Sequence, residues 1–66
     1  MLNMSESTRM FLKENCAGIP WDLEHLNDIL DLLDEMELDS LDENYNPTER
    51  TRPIIYAIDD LYVNNN

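Results

Sequence analysis

The sequence predicts an all-α fold, a small compact three-helix bundle, and three observations carry that prediction. Apolar residues recur at steps of three and four through the middle of the chain, the period of one helical face. Cap residues and proline–glycine punctuation divide the chain into three helical stretches separated by two short breaks. Strand signals are weak, because Val63 is the only valine and Gly18 the only glycine available for hairpin turns. At 66 residues the chain is a single domain, 1–66, with no internal repeat or linker. A chain this short buries only ~60% of its unfolded surface, so its stability is thin without a staple or a partner.

The first helix is expected over about 5–17. Ser5 can cap its start, Gly18 supplies a permissive residue past its end, and Pro20 stops it. Its buried face is hard to read, since Met10, Phe11 and Leu12 are consecutive. Cys16 has no partner for a disulfide and no Cys/His spacing suggests zinc, so it reads as a small apolar residue near a helix end.

The second helix, about 22–37, is the clearest. Asp22 is a good N-cap, and Trp21 before it can staple against Leu26. Leu23, Leu26, Ile29, Leu30, Leu33 and Met36 make one stripe, while Glu24, Asp28, Asp31 and Glu35 fall in a narrow wedge opposite. Beyond Glu37 the phase is lost at Leu38 and Leu41, which places the helix end there. A loop follows over 42–47.

The third helix is expected over about 47–63. Asn46-Pro47-Thr48-Glu49 reads as a helix start, but Pro53 lies two turns on, so the helix either kinks or starts late, after Thr51. Ile54, Ile55, Ile58, Leu61 and Tyr62 form its inner face, and Asn64 to Asn66 a frayed end. The expected core combines Phe11, Trp21, Leu26, Ile29, Leu30, Leu33, Ile55, Ile58, Leu61 and Tyr62, with the second helix as its spine. A short connection makes helices two and three antiparallel neighbours.

The net charge of −11 is the most unusual property. It argues against direct contact with nucleic acid or anionic lipid, both of which require Lys and Arg. An apolar share of 42% with regular spacing argues against disorder. The start of the chain, Met1 to Glu6, has no basic region followed by an apolar core, and no apolar run approaches a membrane span. A lone thiol fits a reducing compartment, so a cytoplasmic location is expected.

Ten carboxylates lie between Asp22 and Glu43 (Asp22, Glu24, Asp28, Asp31, Asp34, Glu35, Glu37, Asp39, Asp42, Glu43), and His25 is the only cation candidate among them. Ordinary solvated faces mix signs. Here six like-charged pairs at i,i+3 or i,i+4 run from Glu24 to Asp39, at ~0.2–0.5 kcal/mol each, roughly 1–3 kcal/mol in all. Acids also crowd the C-terminal end, where the helix dipole disfavours them. For a domain worth only ~3–5 kcal/mol that is a large concession, and a rule broken repeatedly in one place points to function.

The expected partner is therefore a basic protein surface, met by Glu24, Asp28, Asp31, Asp34, Glu35 and Glu37, with Tyr56 as an exposed interface ring beside Asp59 and Asp60. Carboxylates ~5–6 Å apart on a helix approach the ~7 Å step between phosphates on a DNA strand, so a nucleic-acid-binding protein could be the target of mimicry. The function expected is a non-catalytic inhibitor or regulator, of the phage or mobile-element type or antitoxin-like. The alternative is a structural or adaptor subunit assembling through the apolar helix face. A monomer or weak homodimer is expected, because two chains of −11 repel.

Asp39-Ser40-Leu41-Asp42 resembles the serine motif of acyl carrier proteins, which are also small, acidic and helical. The resemblance would make Ser40 the bearer of a phosphopantetheine arm. The chain departs from that family by lacking a preceding glycine and by breaking at Asn44 to Pro47, and Ser40 reads instead as a helix-end or turn hydroxyl. Asp42, Asn44 and Asn46 have the alternate spacing of a calcium loop, but Pro47 and Pro53 occupy the positions that require glycine and glutamate. Neither metal nor cofactor is expected. His25 has Asp22 and Asp28 as helical neighbours and no nucleophile in its vicinity, so no enzyme activity is expected. Arg50 and Arg52 are expected to return to the acidic helix as surface bridges.

Overall fold

The computed structural model describes residues 2–65; Met1 and Asn66 lie outside the described residues. Three helices pack into a bundle without strands among the described residues: α1 (Glu6–Asn15), α2 (Leu26–Ser40) and α3 (Thr51–Asn65), with a one-turn 3-10 helix (Leu23–His25) leading into α2. Among the described residues no helix is long and apolar enough to cross a membrane.

Helix α1 starts as the sequence predicts. Ser5 is extended, and its hydroxyl accepts the Thr8 N–H at 3.4 Å. It ends two residues earlier than expected, at Asn15, where Cys16 N–H still reaches the Leu12 carbonyl at 2.6 Å. Gly18 is not the stop signal: its φ is not positive, and a Cβ there would meet nothing within 4 Å. Cys16 is buried as expected, and burial pushes its thiol pKa up.

Asp22 caps the second helical segment, accepting the His25 N–H at 3.0 Å. His25 Nδ1 lies 2.6 Å from the same carboxylate oxygen. This hydrogen bond holds the Asp22 carboxyl below its ordinary range and raises the imidazole above its own. A lowered acid contributes stability above its unfolded value of 3.8 and loses it as pH falls through the folded value. A raised histidine contributes below 6.5 and loses it as pH rises through the folded value. The pair is therefore complete only between those limits. His25→Gln is expected to lower the melting temperature slightly at pH 5 and progressively less towards pH 8. A pH-independent difference would show that the ring contributes no charge.

Helix α2 continues to Ser40, past the expected end at Glu37. Leu38 is indeed out of phase, 66% exposed, but loss of phase is not loss of helix. Ser40 and Thr51 then join α2 to α3 in a buried knot. Their hydroxyls are 2.6 Å apart, Ser40 Oγ donates to the Glu37 carbonyl at 2.7 Å, and Thr51 Oγ1 accepts the Thr48 N–H at 2.9 Å. Thr48 Oγ1 donates to the Ser40 carbonyl at 2.7 Å, which closes the connection. Either Ser40→Ala or Thr51→Val leaves buried polar groups unpaired and is expected to cost ~1–3 kcal/mol. The double variant should cost clearly less than the sum, as read from denaturant unfolding; strict additivity would mean that the two hydroxyls are not coupled.

The intervening loop is ordered by Asp42, whose carboxylate accepts the N–H groups of Asn44 and Asn46 at 2.8 and 2.9 Å. Tyr45 takes a left-handed φ of 63° at its tip. The helix start expected at Asn46–Pro47 is displaced to Thr51, the late-start alternative. Pro53 then sits in the first turn of α3, where its missing N–H removes no helical bond, so no kink is required.

Helix α3, not α2, is the spine: it packs against both α1 and α2, which have no comparable contact with each other. The core comprises Leu2, Leu12, Cys16, Ile29, Leu30, Leu33, Ile54, Ala57 and Leu61. Two expected core residues are corrected, Ile55 at 37% exposed and Tyr62 at 50%. Consecutive residues diverge by ~100° on a helix, so Ile54 and Ile55 cannot both face inwards, and Ile54 with Ala57 and Leu61 sets the line. Phe11, Trp21, Leu26 and Ile58 are half-buried and pack at the edge of this core.

The two ends of the chain are tied together, which the sequence did not suggest. Asn65 is no frayed residue: its side-chain amide accepts the Asn3 N–H at 2.9 Å and donates to the Asn3 carbonyl at 2.7 Å. Asp60 accepts the Ser5 N–H at 2.8 Å, and that bond holds its carboxyl below the ordinary range. Leu2 N–H reaches the Trp21 carbonyl at 3.2 Å, and the Leu2 side chain is buried. A short domain without a covalent staple thus gains a hydrogen-bonded one.

Candidate functional site: the acidic ridge of α2

The core face of α2 is fixed by Ile29, Leu30 and Leu33, so the side chains opposite must project into solvent. Asp28, Asp31 and Glu35 occupy that side and are exposed, as is Asp34 on its flank. Glu24, on the preceding 3-10 turn, extends the ridge towards the N-terminal end. Asp39 is also exposed and continues it: Asp28, Glu35 and Asp39 step by seven and four. It was missed as a site residue because the helix was expected to stop at Glu37. The i+4 step from Glu35 already places it among the like-charged pairs of the sequence.

Two expected site residues do not join the ridge. Glu37 is only half-exposed, and at ~100° per residue it projects ~160° away from Glu35. Tyr56 is 58% exposed as expected, but it lies beside α1, lining a shallow groove with Ser7, Phe11 and Pro53.

The expected return of Arg50 and Arg52 to the acidic helix does not occur. Among the described residues the one ion pair within 4.0 Å is His25 with Asp22. The reason is geometric. Arg52 lies with Pro47, Thr48 and Glu49 beside the loop that precedes α3, and Arg50 lines a groove at the C-terminal end of α2 with Met36, Asp39 and Ser40. Among the described residues no Lys or Arg lies within ion-pair distance of the ridge.

Asp22, Glu24 and His25 each bring a potential metal ligand atom to within 4.8 Å of the others. Asp22 Oδ1 already accepts the His25 N–H and contacts its ring, so this cluster is accounted for as a helix cap. Ser40 is 3% exposed with its hydroxyl engaged on both sides, in keeping with a helix-end hydroxyl. No protein-family model, curated protein or solved structure matches the chain. The fold and the ridge define it as a small acidic three-helix bundle.

Proposed function

We propose that this chain is a non-catalytic binding protein that engages a basic surface of a partner protein and inhibits or regulates it. The observation that carries this reading is the exposed ridge of Glu24, Asp28, Asp31 and Glu35, flanked by Asp34 and unmet by any Lys or Arg. A ridge kept only for solubility would gain from interspersed lysines, which stabilise a helix where like charges weaken it. Spacing near that of a phosphate backbone favours a nucleic-acid-binding protein as the partner, in the manner of a phage- or mobile-element-type inhibitor or an antitoxin-like regulator.

The runner-up, an adaptor assembling through the apolar stripe, has less support. Ile29, Leu30 and Leu33 are consumed in the domain's own core, so using them would require the fold to open. The deciding experiment is capture of the partner from cell extract with elution by salt, then affinity measured against ionic strength. Fast association that weakens steeply with salt is expected. Affinity that stayed flat from low to high salt would sink the electrostatic reading.

A further inference from the structure

Charge steers, but exposed ion pairs contribute only ~0–1 kcal/mol each, so an acidic ridge by itself gives weak and indiscriminate attachment. Specific complexes add a desolvated anchor, an apolar side chain seated in a pocket. The bundle offers such a pocket. Because α3 packs against both other helices and these barely meet, α1 and α2 leave a gap between them at the N-terminal end of α3. The resulting groove, about 370 Å³, has Phe11 on one wall, Met36 on the other and Pro53 with Ile54 at its base. Asp39 lines its α2 edge. The same residue ends the line Asp28, Glu35, Asp39, so groove and ridge are continuous. Arg50 also lines this groove, without an ion pair to Asp39 within 4.0 Å, so the negative charge that a basic segment meets here is that of Asp39 together with the adjoining ridge.

Building on the function proposed above, we infer that this groove is the anchor site for the basic partner. It would receive one apolar side chain, aromatic or leucine-sized, from a segment whose neighbouring lysine or arginine meets Asp39. The occupant is chosen by charge complementarity. A second copy of this acidic chain would bring like charge to the same edge, whereas a segment mixing apolar and basic residues satisfies floor and rim together.

The test uses the full chain and two synthetic peptides of equal length and charge, one lysine-rich with a single central phenylalanine, the other with serine in its place. At low salt the phenylalanine peptide is expected to bind about tenfold more tightly, the scale of burying one apolar side chain. It should shift the NMR signals of Met36 and Ile54. Asp39→Lys and Asp31→Lys change the charge equally on exposed sites, but only Asp39 borders the groove. Asp39→Lys should therefore weaken the phenylalanine peptide several-fold more than Asp31→Lys does. Equal binding of the two peptides, equal effects of the two variants, or shifts located away from Met36 and Ile54 would overturn the groove while leaving the acidic-ridge reading intact. If neither peptide bound even at low salt, both would fall.

Discussion

Leu61→Ala is expected to leave the domain largely unfolded at room temperature, whereas Tyr62→Ala, one residue on, should change stability by no more than ~0.5 kcal/mol. Leu61 is fully buried on α3, the helix that both others pack against. Removing a buried leucine side chain costs ~2–5 kcal/mol, because the cavity adds to the lost transfer energy. A bundle of this size has only ~3–5 kcal/mol to lose. Tyr62 is 50% exposed, and its truncation removes little packed surface. Helical circular dichroism followed through thermal unfolding reads both variants. A Leu61→Ala protein that still melted cooperatively within a few degrees of the parent would contradict the placement of α3 at the centre.

That pair of residues also marks how far the fold was legible. Period and caps located all three helices, since a leucine stripe and residues such as Ser5 and Asp22 act locally. Choosing Leu61 over Tyr62, or Ile54 over Ile55, depends on where the neighbouring helices lie, and local pattern does not contain that. The same limit hid the Ser40–Thr51 knot and the Asn3–Asn65 clasp, which join positions 11 and 62 residues apart through side chains common in loops. Of the candidate site, the ridge from Glu24 to Glu35 was visible because exposure on a helix follows directly from phase. Asp39 lies beyond the expected helix end, and the groove beside it forms where α1 and α2 both pack on α3 but barely on each other. Opposite charge alone does not pair Arg50 and Arg52 with the ridge, because pairing also depends on where the loop before α3 places them.

Reversing Asp28, Asp31 and Glu35 to lysine is expected to move stability and binding in opposite directions. Three reversals take the net charge from −11 to −5, two charges per substitution. Of the six repulsive pairs, those of Glu24 with Asp28, Asp31 with Asp34 and Glu35 with Asp39 become attractive. The pairs Asp28–Asp31, Asp31–Glu35 and Asp34–Glu37 remain like-charged. Three changes of sign, each worth a lost repulsion and a gained attraction of ~0.2–0.5 kcal/mol, stabilise the helix by roughly 1–3 kcal/mol at low salt. None of the three acids holds an internal ion pair that the reversal would break. Binding to a basic surface, by contrast, exchanges three attractions for three repulsions, and a loss of about a hundredfold or more is expected. The two readouts, denaturant unfolding and affinity for the salt-eluted partner, separate the proposals for this domain. A variant that was more stable yet bound its partner unchanged would make the acids a solubilising coat, and the adaptor reading would take precedence. A variant both more stable and unable to bind would show that the repulsion along α2 is retained for recognition.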